Sequence, residues 1–318
     1  MKNKFTQRAD FIDYLKPRIY MITMTTLERV PLLGKLECHQ DSNGNVQARI
    51  HLTSLGESVN RSIENISKYY PQISILGKQV MPDHIHFIVY VREELPVHLG
   101  NILAGFKAGC NRIYRDIIST SDESESVVLR TVLPSSSSFW ETGYHDRILS
   151  GKDQLHRMIS YIHDNPRRLA LKKMHSGYFS HHELTICGKT IIGIGNDNLL
   201  NAKVRLQVKC SRKISKEEHN SLMSRLFSAA EKGAVLVSPF ISRGEREIEK
   251  EALQQHYNII KIMDNGFSDF FKPTGHYFDL CASGKTLFIS PFSYNTKRIS
   301  ITRTQCNVMN ELAKSICE

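Results

Sequence analysis

Three absences narrow what this chain can be. Its seven cysteines (Cys38, Cys110, Cys187, Cys210, Cys281, Cys306 and Cys317) stand singly, form no CxxC pair and are odd in number. That pattern argues for reduced thiols in a cytoplasm and against a disulfide framework or a cysteine-based zinc site. No stretch approaches the ~20 consecutive apolar residues that span a bilayer. The opening MKNKFTQRADFIDYLKPRIY has no apolar core of a secretion signal. A cytoplasmic protein without membrane contact is therefore expected. Tryptophan is nearly absent too: the one copy, Trp140, is expected in a core rather than on a base-stacking surface.

What the chain does have is positive charge. Its 318 residues hold 42 Lys and Arg against 32 Asp and Glu, a net charge of +10. The excess is shared: residues 1–190 carry 24 against 19, the remainder 18 against 13. A basic balance spread over both halves suits a polyanionic partner.

The first half alternates strand and helix patterns. RIYMITMTTL (18–27) reads as a strand and ERVPLLGKLE as a loop, with VQARIH (46–51) a second strand. Val59, Ile63 and Ile66 fall at helical spacing within 56–70. ISILGKQVMPD and HIHFIVYV read as neighbouring strands, and 95–118 as a long helix. Residues 119–138, polar and Ser-rich, read as a loop or mobile insertion. A helix is expected over 152–166, closed by Pro166, which supplies no N–H. From about 190–200 the pattern restarts as short apolar strands alternating with helices, a small parallel α/β unit. Ser215 is its first N-cap candidate.

Chemistry concentrates in VMPDHIHFIVYV. Strand side chains alternate faces, so His84 and His86 point to one side and Ile85 to the other. Two imidazoles on one face are either a packed polar pair or part of a metal site. In SYIHDNP, Tyr161 and Asn165 are four apart and share a helix face. A helix packed over the sheet could bring a phenol and an amide oxygen to both histidines. Two imidazole nitrogens, an amide oxygen and open positions suit Mg²⁺ or Mn²⁺.

These residues, MPDHIHF with YIHDNP, PLLG and FWETGYHDRIL, resemble the REP-associated tyrosine transposases of the HUH superfamily, over roughly residues 15–180. The resemblance implies an α+β fold, with a ferredoxin-like antiparallel sheet and helices over 1–190. It implies that His84 and His86 hold a divalent metal, with Asn165 the third ligand and Tyr161 the nucleophile. Tyr114 and Tyr144 lack the amide partner four residues on. Asp146 matches an acidic position of the family, either orienting a ligand or capping a turn. Arg147, Arg167, Arg168, Lys172 and Lys173 flank the nucleophile helix and could contact phosphates. His145 and His163 are expected to lie outside the metal shell.

The smaller α/β domain, residues 191–318, reads as Rossmann-like. Its stretch GAVLVSPFISRGEREIEKEAL is strand, loop and helix, a layout in which a helix N-terminus can hold an anion. The loop holds one glycine, Gly244, so neither GxGxxG nor a P-loop is present. It is similar to the Rossmann-like domain of the DNA-processing protein DprA, a single-strand DNA binder. The combined expectation is a metal-dependent transposase or endonuclease that cleaves and rejoins single-stranded DNA through a 5′-phosphotyrosine, at hairpin-containing sites. The rivals are a domesticated nickase, a DNA-binding regulator whose catalytic site is vestigial, and a nucleotide sensor led by the second domain. A homodimer sharing its active sites stays open, as do the target sequence and the choice between Mg²⁺ and Mn²⁺.

Overall fold

The structure is a computed structural model. It describes residues 13–42, 44–120, 138–151, 153–211, 213–269, 271–297 and 300–318, so the Ser-rich stretch falls mostly outside the described residues. The chain divides into two compact units, Met1–Ala170 and Leu171–Glu318. No helix among the described residues is long and apolar enough to cross a membrane.

In the first unit, strand β1 (Arg18–Thr25) is followed by a hairpin of β2 (Gly34–Gln40) and β3 (Val46–Leu52). Helix α1 (Ser54–Tyr69), strands β4 (Ile73–Val80) and β5 (His84–Val91), helix α2 (Leu99–Thr120) and strand β6 (His145–Ile148) complete the frame. Helix α3 (Gln154–Met174) follows. The four-stranded sheet has the order β4-β5-β1-β6 with every neighbouring pair antiparallel. The frame thus runs β-α-β-β-α-β, with β1 and β5 inside the sheet.

The two faces of this sheet follow from the period of two. Tyr20, Ile22 and Met24 of β1 and Ile85, Phe87, Val89 and Val91 of β5 join one core with buried residues of α1 and α2. The intervening residues Met21 and Ile88 face the other way and pack with Ile162, Leu155, Met158 and Ile159 of α3. The sheet is therefore covered by α1 and α2 on one side and by α3 on the other.

Close packing sets one glycine. Thr53 caps α1 by accepting the Gly56 N–H at 3.1 Å. A β-carbon on Gly56 would lie 1.9 Å from the Leu33 carbonyl oxygen. Gly56→Ala is expected to cost about 1–3 kcal/mol through overpacking, seen as a lower urea midpoint at unchanged slope.

The second unit opens with a hairpin, β7 (His181–Ile186) and β8 (Lys189–Gly195), followed by β9 (Arg205–Gln207). Helix α4 (Lys216–Ala230), β10 (Val235–Ser238), α5 (Arg243–Gln254) and β11 (Asn258–Ile262) come next. Helix α6 (His276–Ala282), β12 (Thr286–Ser290) and α7 (Arg303–Cys317) end the chain. Strands β9 to β12 are parallel, and the hairpin continues their sheet in the order β7-β8-β12-β11-β10-β9. One face packs on α4, α5 and α6, the other on α7. Sheet and helices together make the chain α+β.

Several elements differ from the sequence reading. Residues 34–40 form β2 rather than loop, because pairing with β3 satisfies their backbone. Helix α3 does not close at Pro166 but runs on to Met174. Pro166 withholds an N–H from the Ile162 carbonyl, a loss of ~3 kcal/mol in a free helix. Here Ile162, Asn165, Pro166 and Ala170 are all buried, and that packing holds the helix together. The second sheet begins with the β7–β8 hairpin, so the division falls before the 190–200 expected. Helices α6 and α7 lie where the sequence reading assigns no element. Ser215 does cap α4, in a capping box with Glu218.

Candidate functional site

His84 and His86 sit at the start of β5, on the face that α3 covers. Their rings meet edge to face with centroids 4.8 Å apart. Each Nδ1 has a partner. The Asp83 carboxylate accepts the His84 Nδ1–H at 2.6 Å, and Thr23 Oγ1 lies 2.8 Å from His86 Nδ1. With His86 donating to Thr23, its Nε2 keeps its lone pair, and a neutral His84 donating to Asp83 would keep its own, the arrangement of ligating imidazoles held by outer partners. Burial, with repulsion from His84 and Arg29, pushes the His86 pKa down to about 3, so this ring is neutral at physiological pH. Burial pushes the Asp83 carboxyl up, but the hydrogen bond and charge of His84 outweigh it, and it titrates below its ordinary value.

The loop before β5 is pinned. Thr26, fully buried, places its hydroxyl 2.7 Å from the Val30 carbonyl and 2.9 Å from that of Asp83. Leu33 N–H donates to the Pro82 carbonyl at 2.9 Å. PLLG and MPDH thus meet through a backbone hydrogen bond between two separate connections. Thr23, Thr26 and Asp83 were passed over by sequence reasoning. Asp83 was visible beside His84, whereas Thr23 needed the cross-strand register to be noticed.

Tyr161 lies against the pair from α3, its ring 6.1 Å from that of His86 and 38% exposed. Asn165, one turn on, is 8% exposed, and its amide nitrogen has no hydrogen-bond partner among the described residues. No cluster of three His, Cys, Asp or Glu side chains suited to a metal exists among the described residues. A third protein ligand beside the histidines would thus be of another kind, which fits an amide. Turning Asn165 by 180° exchanges its oxygen and nitrogen. The donor set suits a hard divalent ion that keeps open positions.

The structure sorts the other site residues. Tyr114 is buried in the α1–α2 core against Phe139, and Tyr144 packs on that core half-buried. Trp140 is also core, 3% exposed. Asp146 pairs in register with Ile22, on the sheet face opposite the histidines, and accepts the Tyr14 hydroxyl at 2.8 Å. It therefore anchors β6 and does not reach the pair. Its neighbours His145 and Arg147 pair with Thr23 and Met21, so they share the histidine face, both exposed. Arg167 forks onto Asp164 at 2.6 and 3.0 Å. Arg168 sits over the Tyr161 ring. Lys172 and Lys173 belong to the second unit, where Lys172 covers the Phe278 ring at 5.5 Å.

Lys107 of α2 fixes the entry to β6 by donating to the carbonyls of Glu141, at 2.6 Å, and Gly143. Burial lowers its pKa to about 8, with Glu141 opposing. Between pH 8 and the ordinary lysine value of 10.5 the unfolded chain binds more protons than the folded one, so stability rises with pH across that window. Lys107→Met should lose about 1–2 kcal/mol from the two abandoned carbonyls. The stability gap between wild type and variant, from urea unfolding, should widen from pH 8 to 10.5.

In the second unit a carboxylate of the chain itself closes the loop before α5. The Glu245 carboxylate, 4% exposed, accepts N–H groups from Cys210, Ile241 and Ser242 at 3.1, 2.8 and 3.0 Å. The chain thus places its own negative charge at the N-cap, beside the position expected for an anion. Beside it lies a cleft of about 940 Å³ bordered by Lys209, Lys216, His219, Arg243 and Arg246 and by Glu245 and Glu247, the last accepting from Arg243 at 2.9 Å. Glu245→Ala should cost on the order of 2–3 kcal/mol by stripping one buried and two half-buried N–H donors, measured as a lower melting temperature.

No protein-family model matches the chain. An uncharacterised protein of Haemophilus influenzae is 23% identical over 179 residues, covering 50% of this chain and 86% of that one. A REP-associated tyrosine transposase, solved bound to a REP hairpin, aligns at 14% identity with a TM-score of 0.33, covering 50% of this chain and 72% of its own. DNA processing protein A of Helicobacter pylori, solved for its single-stranded DNA binding mode, aligns at 18% identity with a TM-score of 0.34. It covers 44% of this chain and 67% of its own. Likenesses at these scores are similarities of partial chains, and the function rests on the site itself.

Proposed function

We propose that the first unit is a metal-dependent tyrosine transposase or nickase acting on single-stranded, hairpin-bearing DNA, on the HUH plan. The observation that carries this is the convergence of three groups from two elements: His84 and His86 of β5 with outer partners on Nδ1, and a half-exposed phenol from α3 against His86. A structural histidine pair needs no phenol held beside it at the protein surface.

A bound Mg²⁺ or Mn²⁺, held by His84, His86 and Asn165, would supply Lewis-acid charge to a non-bridging phosphate oxygen. The rest is done by the chain. Tyr161 Oη attacks phosphorus in line, its proton passing to water. The Oη–P bond forms, the P–O3′ bond breaks, and the 3′ oxygen leaves and takes up a proton. The 5′ side stays on Tyr161 as a phosphodiester, so another 3′-hydroxyl can reverse the step without ATP. Hydrolysis would discard that bond energy, which is why a tyrosine here favours joining over plain cleavage. Arg147 on the histidine face would receive a flanking phosphate. The second unit, with the lysines and arginines along its cleft, would hold single-stranded DNA or a partner.

The test is a denaturing gel of labelled single-stranded hairpin DNA with the full chain and Mn²⁺ or Mg²⁺. A protein–DNA adduct that survives denaturation and requires the metal is expected. Hairpin binding without adduct or cleavage across a broad set of hairpins would instead indicate a regulator with a vestigial site.

A further inference from the structure

We propose that Arg168 is a positioning residue that holds the Tyr161 ring in attack orientation, rather than one more phosphate contact. This rests on the reading of Tyr161 as nucleophile. Arg168 lies seven residues after Tyr161, two turns along the same face of α3. Its guanidinium carbon is 5.6 Å from the Tyr161 ring centroid, within the range of a cation–π contact. The side chain is only 13% exposed, and Nη1 lies 3.9 Å from the Asp164 carboxylate. Asp164 is itself gripped by the Arg167 fork.

The guanidinium is therefore tethered from one side and covers the tyrosine from the other. Tyr161 is thus contacted by both Arg168 and the His86 ring. Nothing among the described residues hydrogen-bonds its hydroxyl, so the ring is located by its surroundings while its oxygen stays open to a phosphate. Position matters here because a displaced nucleophile loses alignment with the scissile bond. Charge matters as well: negative charge grows on Oη and the phosphate during attack, and a fixed cation nearby favours that state over the ground state. Lysine cannot replace both functions, since a point charge does not lie flat on a ring while facing a carboxylate.

This role separates from phosphate binding by where the loss appears. In the full-length protein, Arg168→Met should lower the rate of adduct formation at saturating hairpin DNA and Mn²⁺ by about 10- to 100-fold, with little change in DNA affinity. Arg168→Lys should recover part of that rate. Independently of activity, the Tyr161 ring resonance of ¹³C-tyrosine-labelled protein, assigned by its absence in Tyr161→Phe, should shift or broaden in Arg168→Met. Weaker DNA binding with an unchanged saturating rate would overturn the proposal and leave Arg168 a phosphate contact. An unmoved ring resonance would overturn it whatever the rate. A moved resonance in a protein whose wild type forms no adduct would sustain the positioning role and sink the proposed chemistry instead. If Arg168→Met does not fold, as judged by its melting curve, Arg168→Lys carries both readouts.

Discussion

Tyr161→Phe should form no covalent DNA adduct while still binding the hairpin. The phenyl ring keeps the contacts that place residue 161 against His86 and under Arg168, and only the attacking oxygen is gone. A loss of at least ~10³-fold in rate, equivalent to about 4 kcal/mol of barrier, is expected on the denaturing gel. Tyr114→Phe and Tyr144→Phe serve as comparisons, because those side chains pack with the α1–α2 core. An adduct that persisted in Tyr161→Phe and vanished in one of them would move the nucleophile elsewhere and end the reading offered for α3.

The second large effect concerns metal affinity. His86→Ala should abolish specific Mn²⁺ binding as seen by electron paramagnetic resonance of the full chain, and adduct formation with it. The ring is neutral at physiological pH, so it needs no deprotonation to act as a ligand, and its loss leaves His84 the one imidazole beside Asn165. Asp83→Asn tests the outer partner. It keeps size and removes the charge that accepts the His84 Nδ1–H, and should weaken Mn²⁺ by about 10- to 100-fold. Mn²⁺ bound equally well by wild type and His86→Ala would place the ion elsewhere and leave the histidines a packed polar pair.

How far the sequence could be read depended on the kind of signal. Period-two alternation put His84 and His86 on one face without ambiguity, and period 3.6 did the same for Tyr161 and Asn165, so the geometry within each element was accessible. The choice of face was not: nothing local says that even-numbered residues of β5 look toward α3. Asp146 shows the cost. Its place between two residues on the histidine face turns it toward Tyr14, and only the pairing with Ile22 reveals this. Pro166 misled because a local rule about helix breaking was outweighed by tertiary burial. At α5 the strand–loop–helix layout suggested an anion site, and Glu245 three residues after the Ser242 cap was the available sign of a capping box that puts a negative charge beside it. Strand β2 was unreadable alone because its justification is its partner β3.

The two-sided burial of β5 has a consequence for how such a gene can decay. The strand serves core and site from alternate positions, Ile85, Phe87 and Val89 inward and His84 and His86 outward. Loss or gain of a single codon within it would exchange the two sets wholesale, driving imidazoles into the hydrocarbon layer and aromatics out. Such a lesion removes the fold along with the chemistry. If the proposed chemistry is lost while the fold is kept, the change is therefore a substitution, at His84, His86 or Tyr161 for instance, with the length of the strand unaltered.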